Sequence, residues 1–194
     1  MSKSDPSISK KERNKTIRWV VTIFFVTIFV SGTISFASDA IMAGSTMPVA
    51  FIILLAIVMI GILFDVVGVA VTSADEKPFH SMAARKVPGA QEAIRLLRNA
   101  ERVSSICNDV VGDICGVVSG SASATIAAQI LNNFEFSWSQ IVPLLMSALV
   151  AGLTVGGKAI GKTFAMGSCT LIVHGVGKIL WAFSHWSLKA KKRT

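Results

Sequence analysis

The chain has 194 residues, 52% of them hydrophobic and 15% charged, with 19 Lys and Arg against 11 Asp and Glu. A mean hydropathy of +0.63 excludes an ordinary soluble domain and indicates an all-α integral membrane protein. The net charge of +8 would point to nucleic acid in a soluble protein, but here the cations flank apolar stretches. Anionic lipid accounts for them, and no nucleic-acid partner is expected.

The cations fall in three blocks: six up to Arg18, six between residues 73 and 104, and seven from Lys158 onward. Two apolar hairpins without a basic residue separate the blocks. Short cytoplasmic loops accumulate Lys and Arg, so the pattern predicts a multi-pass protein of the cell membrane with both termini cytoplasmic.

Residues 1–16 are polar and charged and read as a disordered cytoplasmic tail. Residues 17–37 form the first span. Phe36-Ala37-Ser38 resembles a signal-peptide cleavage site, but the apolar run exceeds the usual core of about 7–15 residues, so a retained anchor is expected. A short external loop, residues 38–47, leads to the second span from Pro48 to about Thr72. Residues 88–103 place Ala93, Leu96, Leu97 and Ala100 on one helical face, with Arg95, Arg98 and Arg102 around the other. That pattern predicts an amphipathic helix at the cytoplasmic interface. The third span covers about 105–131, an external loop 132–140 carries Glu135, and the fourth span covers about 141–160. Residues 164–188 have a polar stripe of Thr170, His174 and Lys178 with Trp181 and Trp186, which suits a helix lying on the interface. A basic tail, residues 189–194, follows. Four spans are expected.

Gly112, Gly116 and Gly120 recur every fourth residue on the third span, continued by Ala124 and Ala128. Ala148, Gly152 and Gly156 do the same on the fourth. Small residues let helix backbones approach in lipid, so these positions are expected to pack, within a protomer or across a homodimer. Cys107, Cys115 and Cys169 read as small apolar residues in a reducing compartment.

Asp65, Asp109 and Asp113 lie inside predicted spans, where an ionisable group is costly and its default reading is functional. All three lie towards the cytoplasmic ends of their spans. With Asn108 they offer oxygen ligands of the kind that suits Mg²⁺. For Asp109, favourable placement at a helix N-terminus is the competing explanation. Gly156, Gly157 and Gly161 interleave with Lys158 and Lys162, either as a helix break or as a span end with snorkelling lysines. No Ser-His-Asp arrangement, Walker motif or nucleotide fingerprint is visible, so no enzyme is expected.

Three stretches resemble the transmembrane domain of the cyclin M and CorB/CorC family of magnesium transporters. They are FDVVGVAVTS (64–73), GAQEAIRLLRNAERVSS (89–105) and GKAIGKTFA (157–165). The resemblance implies a core over residues 48–165, preceded by an extra span. It further implies a homodimer and Mg²⁺ as the transported ion, bound near the cytoplasmic side, with no other cofactor. The family's glutamate in the last motif falls on Lys158 here and its proline on Gly161. No counterpart of the family's CBS pair is expected within these residues. A lysine at that position would act as an internal counter-ion among the aspartates and weaken divalent cation binding. The expected function is therefore Mg²⁺ transport with an altered ion site. The alternative is a non-transporting membrane module that serves as a partner or regulatory subunit, contacting lipid or a separate cytoplasmic protein.

Overall fold

In a computed structural model, residues 6–133 and 141–191 are described, and among them the fold is all-helical, with no strand. Four helical stretches are long and apolar enough to cross a membrane: Ile17–Met42, Met47–Ser73, Ala100–Asn132 and Ile141–Gly167. The chain is a multi-pass membrane protein by this measure.

Helix α1 (Pro6–Ala43) begins well before the expected span and ends after it. The tail expected to be disordered is therefore helical from Pro6. Proline is tolerated at a first helical turn, Lys, Glu and Arg are good helix formers, and a helix lengthens cheaply once nucleated. At the other end, Met42 is fully buried among Ala50, Leu54, Val58, Ala122, Ile126 and Val150. That anchor carries α1 past Ser38 and Asp39 and shortens the expected loop to residues 44–46.

Helix α2 (Met47–Ser73) is the central element and touches almost every other helix. Beyond it come α3 (Lys77–Ala84) and α4 (Ala90–Arg98), joined through left-handed backbone at Lys86 (φ 57°) and Gly89 (φ 84°). The expected interfacial helix 88–103 is two pieces. It breaks at Asn99, and α5 (Ala100–Ser105) already belongs to the third span. That span continues through a π-helical turn (Ile106–Val111) into α6 (Gly112–Asn133). Residues 134–140, with Glu135, lie outside the described residues. Helix α7 (Ile141–Gly167) is followed after Ser168 by α8 (Cys169–Lys191).

The apolar face of α4 covers protein where a lipid surface was expected. Ala93 and Leu97 join Ala70, Val71, Phe79, Ala165 and Val173 in a second buried cluster, formed by α2, α3, α4, α7 and α8. Gly89 and Gly177 let the backbones of α4 and α8 touch, and the ring of His174 donates to the Pro88 carbonyl at 3.3 Å. Helices α4 and α8 thus form a packed layer against the C-terminal end of α2.

Gly89 combines a positive φ with backbone contact to Gly177 and Lys178. Gly89→Ala is expected to lose roughly 2 kcal/mol or more, from left-handed strain and overpacking. Thermal unfolding in detergent, followed by tryptophan fluorescence, measures it. Gly32→Ala, whose added methyl meets open space, is the neutral control.

Candidate functional site

Glycine decides where the spans come closest. A Cβ at Gly61 would press on Cys115, and one at Gly68 would collide with the Asn108 amide. On the other flank of α2, Gly157 receives Ile62 and Gly161 receives Val66. Small residues at these four positions let side chains of the neighbouring helix reach the helix backbone, bringing α2 close to the third span and to α7. The expected packing glycines behave differently. A Cβ at Gly116, Gly120, Gly152 or Gly156 would meet nothing within 4 Å, and one at Gly112 would meet only the Lys158 ammonium and the Cys107 carbonyl. Within the chain, therefore, that track does not close-pack the third and fourth spans. Four residues of α-helix advance about 400°, so a strict four-residue repeat drifts about 40° per step. Gly112 is accordingly buried, Gly116 half-buried and Gly120 exposed.

Asp65 sits on α2 between the two sets of close contacts and is only 3% exposed. Two cations from α7 reach it. Lys158 Nζ lies 4.0 Å from Oδ1, and Lys162 Nζ lies 3.7 Å from Oδ2. Both distances are ionic contacts beyond hydrogen-bond range, and buried Oδ2 has no hydrogen-bond partner. One helical turn separates the two lysines, so both extend from the same side of α7. Lys158 is largely buried, and its ammonium also lies close to Gly112 on α6. Lys162 is half-exposed.

Asn108 lies across from Gly68. Its amide nitrogen donates to Ser104 Oγ at 3.1 Å, while its carbonyl oxygen is buried without a partner. It therefore meets α2 from the π-helical turn, three residues along from Asp65. Such turns interrupt α-helices at functional sites more often than chance.

Asp109 and Asp113 point elsewhere. Both are exposed on the outer surface of the third span. Asp109 Oδ2 accepts a hydrogen bond from Ser105 Oγ at 2.8 Å. Among the described residues, no three acidic, histidine or cysteine side chains gather as a metal site would require. The expected convergence of Asp65, Asp109, Asp113 and Asn108 is thus replaced by two separate groups: Asp65 inside with two lysines, and two aspartates outside. The family resemblance marks Lys158 as an internal counter-ion, whereas the residues alone read Lys158 and Lys162 alike as span-end lysines. The i, i+4 spacing of the two lysines was the signal that they act together.

No protein-family model, curated protein or solved structure matches this chain. The likeness to the cyclin M and CorB/CorC family therefore rests on the three quoted motifs alone.

A carboxylate this buried depends on its cations, because removing the partners of a buried charge costs roughly 3–5 kcal/mol. Lys158→Met combined with Lys162→Met is expected to lower detergent-phase stability by about that amount. Adding Asp65→Leu should restore most of the loss. A double variant as stable as the wild type would mean that the lysines do not support Asp65.

Proposed function

We propose that the chain is a non-transporting membrane module, built like a divalent cation carrier but with its ion position filled by its own side chains. The observation that carries this reading is the pair of lysine ammoniums within 4.0 Å of the buried Asp65 carboxylate. One carboxylate with two ammoniums leaves that locus with a net positive charge, and a divalent cation entering it is repelled. The motif comparison supports the same view, because Lys158 stands where the resembling family keeps a carboxylate. With four spans and cations gathered beside their ends, the module sits in the cell membrane with both termini on the cytoplasmic side. There the basic layer of α3, α4 and α8 faces anionic lipid and a separate cytoplasmic partner subunit.

A second reading, Mg²⁺ transport, draws on the unpartnered buried oxygens of Asp65 and Asn108. In that case a cation would displace the two ammoniums during a transport cycle.

Mg²⁺ flux into proteoliposomes separates the two. The expected result is no flux by the wild type above protein-free vesicles, together with Mg²⁺ binding gained in the Lys158→Glu variant. Wild-type flux that Asp65→Ala abolishes would establish the transport reading and overturn the first.

A further inference from the structure

Beside the contact of Gly89 with Gly177, helices α4 and α8 leave a groove of about 380 Å³ between them. Glu92, Arg95, Leu96, Asn99 and Val103 wall one side of it and Leu180 the other. A second pocket of about 280 Å³ continues past Glu92 and Ser184, which line both. The larger pocket has the size of a site for a small molecule or headgroup.

Positions 92, 95, 96, 99 and 103 recur at helical spacing, so the chemistry changes in order along one stripe. Val103 lies within the apolar stretch Ala100–Asn132, so that end of the groove faces hydrocarbon. Leu96 and Leu180 extend the apolar wall. Arg95 and Asn99 follow, and Glu92 lies nearly one turn further from the span. The outer face of α8 sets the depth of the groove. Leu171, Ile179 and Phe183 are each more than half exposed there, which suits a helix at the boundary of headgroups and acyl chains.

Charge narrows the class of occupant. Arg95 and Glu92 are the charged residues of the larger pocket, and neither side chain has a hydrogen bond or ion pair among the described residues. An anionic headgroup would satisfy Arg95 but set a second negative charge against Glu92. A headgroup with a phosphate and, a short arm away, a cation matches both. A primary ammonium donates hydrogen bonds to a carboxylate, which a trimethylammonium cannot.

We propose that the groove between α4 and α8 binds a zwitterionic phospholipid with a primary ammonium, a phosphatidylethanolamine. Its acyl chain follows Val103, Leu96 and Leu180. The Arg95 guanidinium holds the phosphate. Asn99 assists, because its amide nitrogen donates one N–H to the Arg95 carbonyl at 2.9 Å and keeps a second. The Glu92 carboxylate takes the ammonium. This inference rests on the placing of α4 and α8 against lipid, and not on whether the chain transports an ion.

The test adds phosphatidylethanolamine, phosphatidylcholine and phosphatidylglycerol of matched acyl chains to delipidated full-length protein in detergent, and counts bound lipid by native mass spectrometry. Phosphatidylethanolamine is expected to bind roughly tenfold more tightly than the other two, the size of one charge-assisted hydrogen bond. Glu92→Gln should erase that preference, and Arg95→Gln should weaken all three lipids. Arg85→Gln, which removes an exposed cation outside the groove, should leave the preference intact. Ser184→Trp fills the groove from exposed α8 surface and should block the site without touching either charge. Equal binding of the three lipids, or a preference that survives both Glu92→Gln and Ser184→Trp, would overturn the proposal. A preference for phosphatidylglycerol that Glu92→Gln leaves unchanged would overturn it too, while keeping the basic layer against lipid. Binding of none of the three would remove the layer and the site together.

Discussion

Everything else in this bundle is arranged around one helix, α2, which is gripped on two sides where side chains pack onto glycines. Gly61 and Gly68 accept the third span, while Gly157 and Gly161 let α7 accept Ile62 and Val66. In lipid there is no hydrophobic drive to bring helices together, so van der Waals contact at such positions supplies much of the association. A methyl group at any of the four would force neighbouring side chains or helices apart. The first helix shows the contrast, because the apolar window of α1 has no buried residues and Gly32 meets nothing. Its attachment comes from its far end, where Met42 is buried and its carbonyl accepts a hydrogen bond from Gln129 Nε2 at 3.2 Å.

That grip has an electrostatic consequence. Asp65 lies between the glycine contacts, so bringing the helices together removes its carboxylate from any other solvent. The helix that closes over it, α7, also carries Lys158 and Lys162, so the same docking that buries the anion delivers two cations. The packing and the charge pairing are one event. A buried ionic group of this kind contributes little net stability compared with apolar side chains of similar volume. It does penalise misregistration, since sliding α7 by a turn would strand Asp65 or the lysines in an apolar interior. The stripping of Asp65 from solvent thus depends on Gly157 and Gly161 as much as on the lysines themselves.

Much of this architecture is legible in the sequence. Long apolar runs and blocks of cations are one-dimensional signals, and all four membrane-length helices follow from them. Helix ends were harder to place, because burial overrides polarity: Met42 holds α1 in helix beyond Ser38 and Asp39. The break at Asn99 follows from no strong signal; the charged face of residues 88–103 is continuous across it. Glycines at a four-residue spacing look like one face on paper, yet on a real helix they spiral from buried Gly112 to exposed Gly120. The glycines that pack inside the chain sit seven apart on α2, at 61 and 68, and four apart on α7, at 157 and 161. Seven residues fall within about 20° of two full turns, so that spacing holds its face better than two steps of four.

The separation of Asn108 from Asp109 and Asp113 has a similar origin. Adjacent residues on a helix point about 100° apart, so an inward Asn108 commits Asp109 to a different direction. The stretch has Cys107 buried, Asn108 against Gly68, and the two carboxylates facing out. The helical repeat thereby divides one run of polar residues between two environments. The inner part packs against Gly68 of α2, and the outer part lies as a charged seam along an otherwise small-residue surface. An ion site assembled from all four oxygen-bearing side chains would need the third span to rotate, which the contact of Cys115 with Gly61 resists.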